Sequence, residues 1–479
     1  MSKYWRVLLL ACLSFAALPN IAGADEAPRG AEPRHRLIVL TDIEADPDDT
    51  QSLIRLLLYA NEIDIEGLVA TTSTHLRHTV HPASIHEVLA AYAEVLPNLR
   101  LHDPDYPDAE ALLARVREGV AAFGMQGVGH GRDTPGTELI VRALDADDPR
   151  PLWVSVWGGA NTLAQALYTL RESRSPAELA ALVAKLRVYT ISDQDDAGPW
   201  LRREFPELFY IVTPGDDYGM ATWNAISRVI DGIDNSTISN PWLAEHIQQD
   251  HGPLGAHYPD VVWGLEGDTP AFLSLIPNGL TVPERPDWGG WGGRYESYVP
   301  DAETTLNGEN HGRESRPIWT NAVDAWSPPE PARFGRATRH SAARYEDYLV
   351  TLWRWRDDFQ NDFAARMDWT VKPVEASNHP PVVVLGHADS VTLEAGQGFY
   401  LSARDSFDPD GDSLSYDWFY YPEAGTYRGQ LPALTNSEGA WFTAPRVEKR
   451  EEVHLILRLS DKGDPPLARY ARVIVTIVP

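Results

Sequence analysis

The fold is decided by one stretch near the amino terminus, LIVLTDIEADPDD at residues 37–49. Its apolar start has the character of a buried strand, which ends in Thr41-Asp42. Asp48 and Asp49 follow, and an apolar-periodic stretch then runs to Tyr59 and predicts a helix. The turn between strand and helix therefore holds five carboxylates, and like charges this close need solvent or a cation.

Helix capping explains part of this turn. Asp46 suits the N-cap, Pro47 suits the first helical position, and acids in the first turn interact favourably with the helix dipole. Capping does not explain Asp42, which lies at the carboxyl end of the strand, where ligands bind in open α/β sheets. The turn therefore predicts a metal or substrate site, with a pure helix cap as the alternative.

The first 24 residues have the features of a signal peptide. Lys3 and Arg6 precede an apolar stretch at 7–18, and residues 22–24 offer a small-residue cleavage site. The apolar stretch is too short to span a bilayer, and it contains the only cysteine, Cys12. We therefore expect a periplasmic or secreted protein without disulfides and without membrane contact after signal removal. A lipoprotein anchored at Cys12 is the alternative.

The chain has 479 residues and a formal net charge of −28. This balance argues against a nucleic-acid partner, because phosphate contacts need a basic surface. Sixteen Trp and nineteen Tyr are more than a core needs, which leaves some aromatic rings for stacking on ligands.

Apolar strands alternate with helical stretches from about residue 35 to 280, which predicts an α/β fold with a mostly parallel sheet and flanking helices. Gly, Pro and Trp dominate residues 281–345 and predict long ordered loops, and residues 344–367 look helical. Short strands from residue 382 onward predict a C-terminal all-β sandwich of immunoglobulin type. We expect domains at 35–372 and 378–479.

Four segments together resemble the nucleoside hydrolase family, and most closely its secreted, cellulose-binding, nucleoside-hydrolase-like relatives. The segments are TDIEADPDD at 41–49, VSVWGGANTLA at 154–164, ISDQDDAGPW at 191–200 and WGLEGDTP at 263–270. The resemblance covers about residues 35–370, and the trailing β-domain also resembles the one that those relatives carry.

The resemblance implies a Ca²⁺ site. Its protein ligands would be Asp42, Asp49, the main-chain carbonyl of Trp157 or of the residue before it, and Asp268. Such oxygen ligands suit a hard cation. Two registers of the first motif are possible: in the one we prefer, Asp42 is the ligand and Asp46 a helix cap, whereas in the other Glu44 is the alternative ligand.

The resemblance also implies roles in hydrolysis. Asp42 would be the base that takes a proton from a metal-activated water, which attacks the anomeric carbon. Asp48 would bind sugar hydroxyls, together with one or more of Asp193, Gln194 and Asp195. For Asp268, the alternative is a turn in which Thr269 caps a helix opened by Pro270.

Several side chains have two interpretations. The family's leaving-group histidine has no clear counterpart; His130 is a candidate acid or merely an exposed loop residue. Trp288 and Trp291, in the Gly-rich PDWGGWGG at 286–293, are candidates for stacking on a sugar or form an aromatic plug. Trp223 is a weaker candidate for stacking on a sugar, and we expect it to pack against other side chains instead. The acidic turn at 408–412 could hold Ca²⁺ or be an ordinary Asp/Gly turn.

These features predict a Ca²⁺-dependent glycoside hydrolase that cleaves an N- or O-glycosidic bond. Its substrate would be a carbohydrate or a nucleoside-like small molecule, with a polysaccharide as a further partner. A non-catalytic carbohydrate-binding protein, for example one that binds cellulose, is the alternative, and a structural surface protein is a third. Nucleoside hydrolases are often oligomeric, but the sequence leaves the oligomeric state of this chain open.

Overall fold

The computed structural model describes residues 33–330, 334–337 and 340–479. The predicted signal peptide at residues 1–24 lies outside the described residues. Within those ranges, no helix combines the length and the apolar character that crossing a bilayer requires.

The first region carries thirteen strands in chain order. They are β1 (His35–Thr41), β2 (Ile63–Ala70), β3 (Val116–Glu118), β4 (Leu152–Val156), β5 (Leu186–Ser192), β6 (Phe209–Thr213), β7 (Tyr295–Tyr298), β8 (Glu303–Leu306), β9 (Glu309–Arg313), β10 (Ile318–Asn321), β11 (Asp324–Trp326), β12 (Arg336–Ala337) and β13 (Tyr345–Asp347).

The described α-helices all belong to this first region. They are α1 (Asp48–Leu57), α2 (Pro82–His102), α3 (Ala109–Leu113), α4 (Pro135–Asp145), α5 (Asn161–Ser173), α6 (Pro176–Lys185), α7 (Ala197–Glu204), α8 (Asn240–Leu243), α9 (Gly252–Ala256), α10 (Pro270–Leu273), α11 (Val350–Trp353) and α12 (Arg356–Asp368).

The main sheet has eight strands in the order β3-β2-β1-β4-β5-β6-β10-β7. All neighbouring pairs are parallel except β10 and β7, which are antiparallel at one edge. The predicted α/β fold with a mostly parallel sheet is confirmed. Strands β1, β4 and β5 are neighbours at its centre, so the loops after them open at the same edge of the sheet.

Residues 281–367 differ from the sequence expectation. The expected loops contain short strands, and β7 and β10 extend the main sheet. The expected helix at 344–367 is instead β13 followed by α11 and α12. Strands of two to five residues between Gly and Pro are too short to show a period-2 pattern, which is why the sequence did not indicate them.

The second region is rich in strands. They are β14 (Ser390–Glu394), β15 (Gly398–Ser402), β16 (Ser415–Tyr420), β17 (Thr435–Asn436), β18 (Gly439–Thr443), β19 (Glu451–Ser460) and β20 (Ala468–Val478). A four-stranded sheet has the order β14-β20-β19-β16, and β15 pairs with β18. The pairs β16–β19, β19–β20 and β15–β18 are antiparallel. Of the expected strand at 382–385, only an isolated bridge from Val382 to Phe407 forms.

Ion pairs hold this strand-rich region against helix α12. Arg458 on β19 donates to both oxygens of Asp358 at 2.8 and 2.5 Å, and Arg469 on β20 donates to Asp362 at 2.6 Å. Arg366 donates to the other oxygen of Asp362 at 3.2 Å. We call these five residues the ion-pair cluster. Both aspartates are buried, so the two regions share one polar core.

Candidate functional site

Four buried aspartates meet at the carboxyl edge of the main sheet. Asp42 directly follows β1, Asp48 and Asp49 open α1, and Asp268 lies two residues before α10. None of the four is more than 4% exposed. We call these four residues the acid cluster.

The turn after β1 is held by its own polar groups. Thr41 Oγ1 donates to Asp49 and accepts from the Ile43 amide at 3.1 Å, and the Asp48 amide donates to Asp46 Oδ1 at 3.0 Å. The N-cap residue of helix α1 is Pro47, whereas the sequence predicted Asp46. Asp46 therefore lies one residue before the cap, and its carboxylate accepts from the Asp48 amide in the first turn.

Of the two candidate acids after β1, only one is buried with the cluster. Asp42 is 3% exposed and its charge acts on Asp49 and Asp268. Glu44 is exposed and has a left-handed backbone, with φ at 84°. This arrangement favours the register in which Asp42 is the ligand.

The carboxyl groups of the cluster resist ionisation. Burial raises the pKa of Asp42 to about 6, opposed by a hydrogen bond with Ser73. Burial is also the largest cause that raises the pKa values of Asp48, Asp49 and Asp268 well above the ordinary range, and repulsion within the cluster adds to it. Nowhere in the described ranges does an Arg or Lys form an ion pair with any of the four.

The donor set fits a hard cation. Carboxylate oxygens of Asp46, Asp48 and Asp49 lie within 4.8 Å of one another. A Cβ at Gly158, after β4, would collide with Asp42, so the backbone of that turn approaches the carboxylate closely. Carboxylates with unpaired charge beside a backbone turn are the ligands that Ca²⁺ prefers. Of the expected ligands, only Asp49 belongs to the group of Asp46, Asp48 and Asp49. Asp42 and Asp49 are close enough to Asp268 for their charges to raise its pKa, so these three carboxylates suit one cation chemically.

The segment after β5 is largely engaged within the protein. Arg202 donates to both oxygens of Asp193 at 2.8 Å, and the Gly215 amide donates to the same carboxylate at 2.9 Å. Asp195 accepts from the Asn161 and Ala197 amides, both at 3.0 Å. Burial and the charge of a neighbouring carboxylate raise the pKa of Asp195 to about 7. Asp193 and Asp195 thus anchor the surrounding loops, and their carboxylate oxygens have few acceptor positions left for a sugar hydroxyl.

Gln194 is the member of that segment with a free group. Its Nε2 donates to the Trp157 carbonyl at 2.7 Å, and its Oε1 is buried without a partner among the residues that the structure describes. It therefore touches the carbonyl that we predicted as a ligand, and it has an acceptor left for a hydroxyl.

The Gly-rich loop is packed against the strand-rich region. Trp291 is 0% exposed, with its indole near Tyr470 Oη at 3.4 Å, so it has no face available for a sugar. Trp288 is half-buried between Arg285, whose guanidinium lies 4.2 Å from the ring centroid, and His454 at 4.9 Å. The aromatic plug is the arrangement observed, because Trp291 is fully buried and the Arg285 guanidinium lies over the ring of Trp288.

Trp223 has a polar contact that the sequence did not indicate. Its Nε1 donates to Asp48 Oδ2 at 2.8 Å, and a Cβ at Gly267 would lie 2.5 Å from the same oxygen. Gly267 therefore provides the space in which the indole reaches the acid cluster. Trp223 packs, as expected, and its ring lies beside the acid cluster.

Ser73, His75 and Tyr218 also border the cluster, and sequence reasoning missed them. Ser73 and His75 lie in the loop after β2, at the same edge of the sheet. His75 Nε2 lies 3.0 Å from Tyr218 Oη, and the charge of His75 acts on Asp42. The polar run TTSTH at 71–75, directly after an apolar strand, was the available signal. His130 is exposed in the turn before α4.

Two other features lie apart from the acid cluster. The turn at 408–412 has the hydrogen bonds of an Asp/Gly turn, with Asp408 Oδ1 accepting from the Asp410 and Asp412 amides at 2.9 and 3.0 Å. The alternative that it holds Ca²⁺ stays a prediction. A cavity of about 880 Å³ lies between the two regions, with Trp326 and Phe419 among its lining residues, and no member of the acid cluster lines it.

Comparisons with known proteins agree with the fold described above. One family model, cellulose-binding Sde182, nucleoside hydrolase-like domain, matches residues 36–295, and another, cellulose-binding protein Sde0182, C-terminal domain, matches residues 398–477. A solved structure of a nucleoside hydrolase-related hypothetical protein from Saccharophagus degradans, described as associated with carbohydrate metabolism, is 35% identical with a TM-score of 0.77. That match covers 93% of this chain and 100% of the other.

A second solved structure, the effector protein XOO4466, is 12% identical with a TM-score of 0.32 and covers 60% of this chain and 88% of the other. That likeness is too low to support an argument. No curated protein matches the sequence.

Proposed function

This chain belongs to the family of cellulose-binding proteins with a nucleoside hydrolase-like domain, and from that premise we propose that its acid cluster hydrolyses a glycosidic bond with a bound Ca²⁺. The observation that carries the proposal is the set of four buried aspartates without an ion-pairing Arg or Lys in the described ranges. Such a set is costly unless it serves a cation or a proton transfer.

Asp42, Asp49, Asp268 and the Trp157 carbonyl would hold the ion. A bound Ca²⁺ would offset the charge of the cluster and lower the pKa of a coordinated water. Asp48 would orient sugar hydroxyls, since Trp223 fixes one of its oxygens, and the free Oε1 of Gln194 would accept a hydroxyl.

The reaction needs one base and one acid. Asp42 accepts a proton from the attacking water, whose oxygen bonds to the anomeric carbon while the glycosidic C–O or C–N bond breaks. The leaving group must take up a proton. We assign the donation of this proton to His75 rather than His130. The charge of His75 acts on Asp42, and Tyr218 orients the His75 ring.

A second candidate function is carbohydrate binding without turnover. It is favoured by the family descriptions, which name cellulose binding, and by the engagement of Asp193 and Asp195 within the protein. In either case we propose a carbohydrate ligand and an extracytoplasmic location, periplasmic or secreted.

The test is release of free sugar from nucleosides and β-glucan oligosaccharides by the mature protein, with EDTA and with added Ca²⁺. We expect release that needs Ca²⁺ and is lost in Asp49→Asn, together with Ca²⁺ binding in calorimetry that the same variant abolishes. Release should fall in His75→Ala and persist in His130→Ala. Ca²⁺ binding without release from any substrate would favour the second candidate, and absence of both would reject the metal site.

A further inference from the structure

Two aromatic rings stand on the outer face of the two-stranded sheet β15–β18. Tyr400 and Trp441 are directly opposite each other in the antiparallel register, with ring centroids 5.2 Å apart and ring planes inclined at 54° to each other. Tyr400 is 47% exposed and Trp441 is 69% exposed. Paired large aromatics left in water on a regular sheet are a mark of an interaction surface.

The strand pleat explains why these rings face outward. Successive side chains on a strand point to opposite faces, and Leu401, Ala440 and Phe442, which alternate with the two aromatics, are at most 1% exposed in the core of the strand-rich region. The hydrophobic core is therefore complete without Tyr400 and Trp441. Their exposure does not result from a strand in the wrong register.

Both rings lean over glycines. A Cβ at Gly439 would lie 2.6 Å from Tyr400 Cζ, and a Cβ at Gly398 would lie 3.7 Å from the ring of Trp441. Each ring thus covers the backbone at a glycine on the neighbouring strand and leaves its other face toward solvent. A larger residue at position 439 would push the tyrosine ring away from the sheet.

The rest of this face is small and neutral. Besides the two rings and the two glycines, the outward positions hold Ser402 and Thr443. No charge lies on this six-residue face, although the chain has a net charge of −28. Such a surface suits a neutral ligand with flat apolar faces and polar edges. Sugar rings in a β-linked glucan have this form, with C–H groups on their faces and hydroxyls at their edges.

We infer that Tyr400 and Trp441 form an aromatic pair that binds a neutral β-glucan polymer, with each ring offering its solvent-facing side to a sugar ring. The family descriptions name cellulose without a location, and this inference assigns polymer binding to the outer face of β15–β18. It rests on the carbohydrate binding proposed above, and it is independent of hydrolysis at the acid cluster because the two sites share no residue.

The experiment is sedimentation of the full mature protein with microcrystalline cellulose, compared among wild type, Trp441→Ala and Tyr400→Ala. We expect each substitution to weaken binding about tenfold, the effect of truncating one anchoring aromatic, and Tyr400→Phe to bind like wild type. Binding should change little with NaCl, since no charge takes part. Because both side chains are exposed, the unfolding midpoint should be unchanged.

Two controls make the result decisive. Trp263→Ala removes an equally exposed indole (76%) from the other region and should bind cellulose like wild type. Removal of Ca²⁺ with EDTA should leave cellulose binding unchanged too, so failure of the catalytic proposal leaves this test intact. The inference is overturned if the Trp441→Ala/Tyr400→Ala double variant binds normally, if Trp263→Ala is equally impaired, or if the double variant changes only the oligomeric state.

Discussion

The acid cluster and the ion-pair cluster both contain buried aspartates, but the pKa of Asp362 in the ion-pair cluster and the pKa values in the acid cluster are shifted in opposite directions. In the ion-pair cluster, burial acts to raise the pKa of Asp362, yet the charges of Arg469 and Arg366 outweigh it and hold that pKa below its usual value. In the acid cluster, burial and mutual repulsion act together and the pKa values rise. Buried carboxylates with matched arginines hold the structure together, whereas those without a partner leave charge for a ligand.

The largest expected effect is on turnover. Asp42→Asn should lower sugar release by about 10²–10⁴-fold, because an amide cannot take the proton of the attacking water. Glu44→Gln is the matched control, since it neutralises an exposed acid two residues away, and it should retain activity within about twofold. Steady-state rates at saturating Ca²⁺ measure both. A loss in Glu44→Gln alone would show that the other register of the motif is correct.

The ion-pair cluster should respond in stability. Asp362→Ala leaves Arg469 without its partner, and breaking a buried pair in this way costs about 3–5 kcal/mol in the free energy of unfolding. Glu346→Ala breaks an exposed pair with Arg344 and should cost less than about 1 kcal/mol. Urea denaturation measures both values. Equal effects would mean that the buried pairs do not stabilise the contact between the regions.

The pH dependence of the acid cluster has a sign that can be tested. The pKa of Asp42 is about 6 in the folded protein against 3.8 for an ordinary Asp, so the folded state holds this proton more tightly than the unfolded state. The contribution of protonated Asp42 to the free energy of unfolding is fully present below pH 4 and is lost as the pH rises to about 6. In EDTA, wild type should therefore lose about 3 kcal/mol relative to Asp42→Asn across this window.

Urea unfolding of both proteins between pH 4 and 7 gives this difference, and we expect Ca²⁺ to abolish it at pH 7 by compensating the ionised carboxylate. A wild type that gains stability over Asp42→Asn as the pH rises would contradict the raised pKa.

The smallest effect is expected from removing one repelling charge. Asp49→Asn should stabilise the EDTA-treated protein at pH 8 by about 1–2 kcal/mol, because burial and its neighbours disfavour the charged form. Asp147→Asn, at an exposed position, should change stability by less than about 0.5 kcal/mol. Destabilisation by Asp49→Asn would show that its bond with Thr41 outweighs the repulsion.

The sequence was sufficient for features that are local in the chain. The strand, turn and helix at 37–57 lie in one continuous stretch, so hydrophobic periodicity and capping chemistry predicted them together. The resemblance placed Asp268 at the same site as Asp42, and the charge of each acts on the same cluster.

Features that depend on contacts between residues far apart in the chain could not be predicted from the sequence. Asp193 resembles a ligand until folding places Arg202 of α7 against it. Trp291 resembles a stacking residue, but it is covered by Tyr470, 179 residues later in the chain. Ser73 reaches Asp42 only because β1 and β2 are neighbours in the sheet. Residue type alone does not reveal such partners.

The ion pairs with α12 also have a consequence for biosynthesis. Arg458 is translated 100 residues after its partner Asp358, and Tyr470, which bonds the same carboxylate, comes later still. A nascent or truncated chain that ends before β19 therefore leaves Asp358 of α12 without the arginine that pairs with it. The full set of bonds to this carboxylate can form only once β20 has been made.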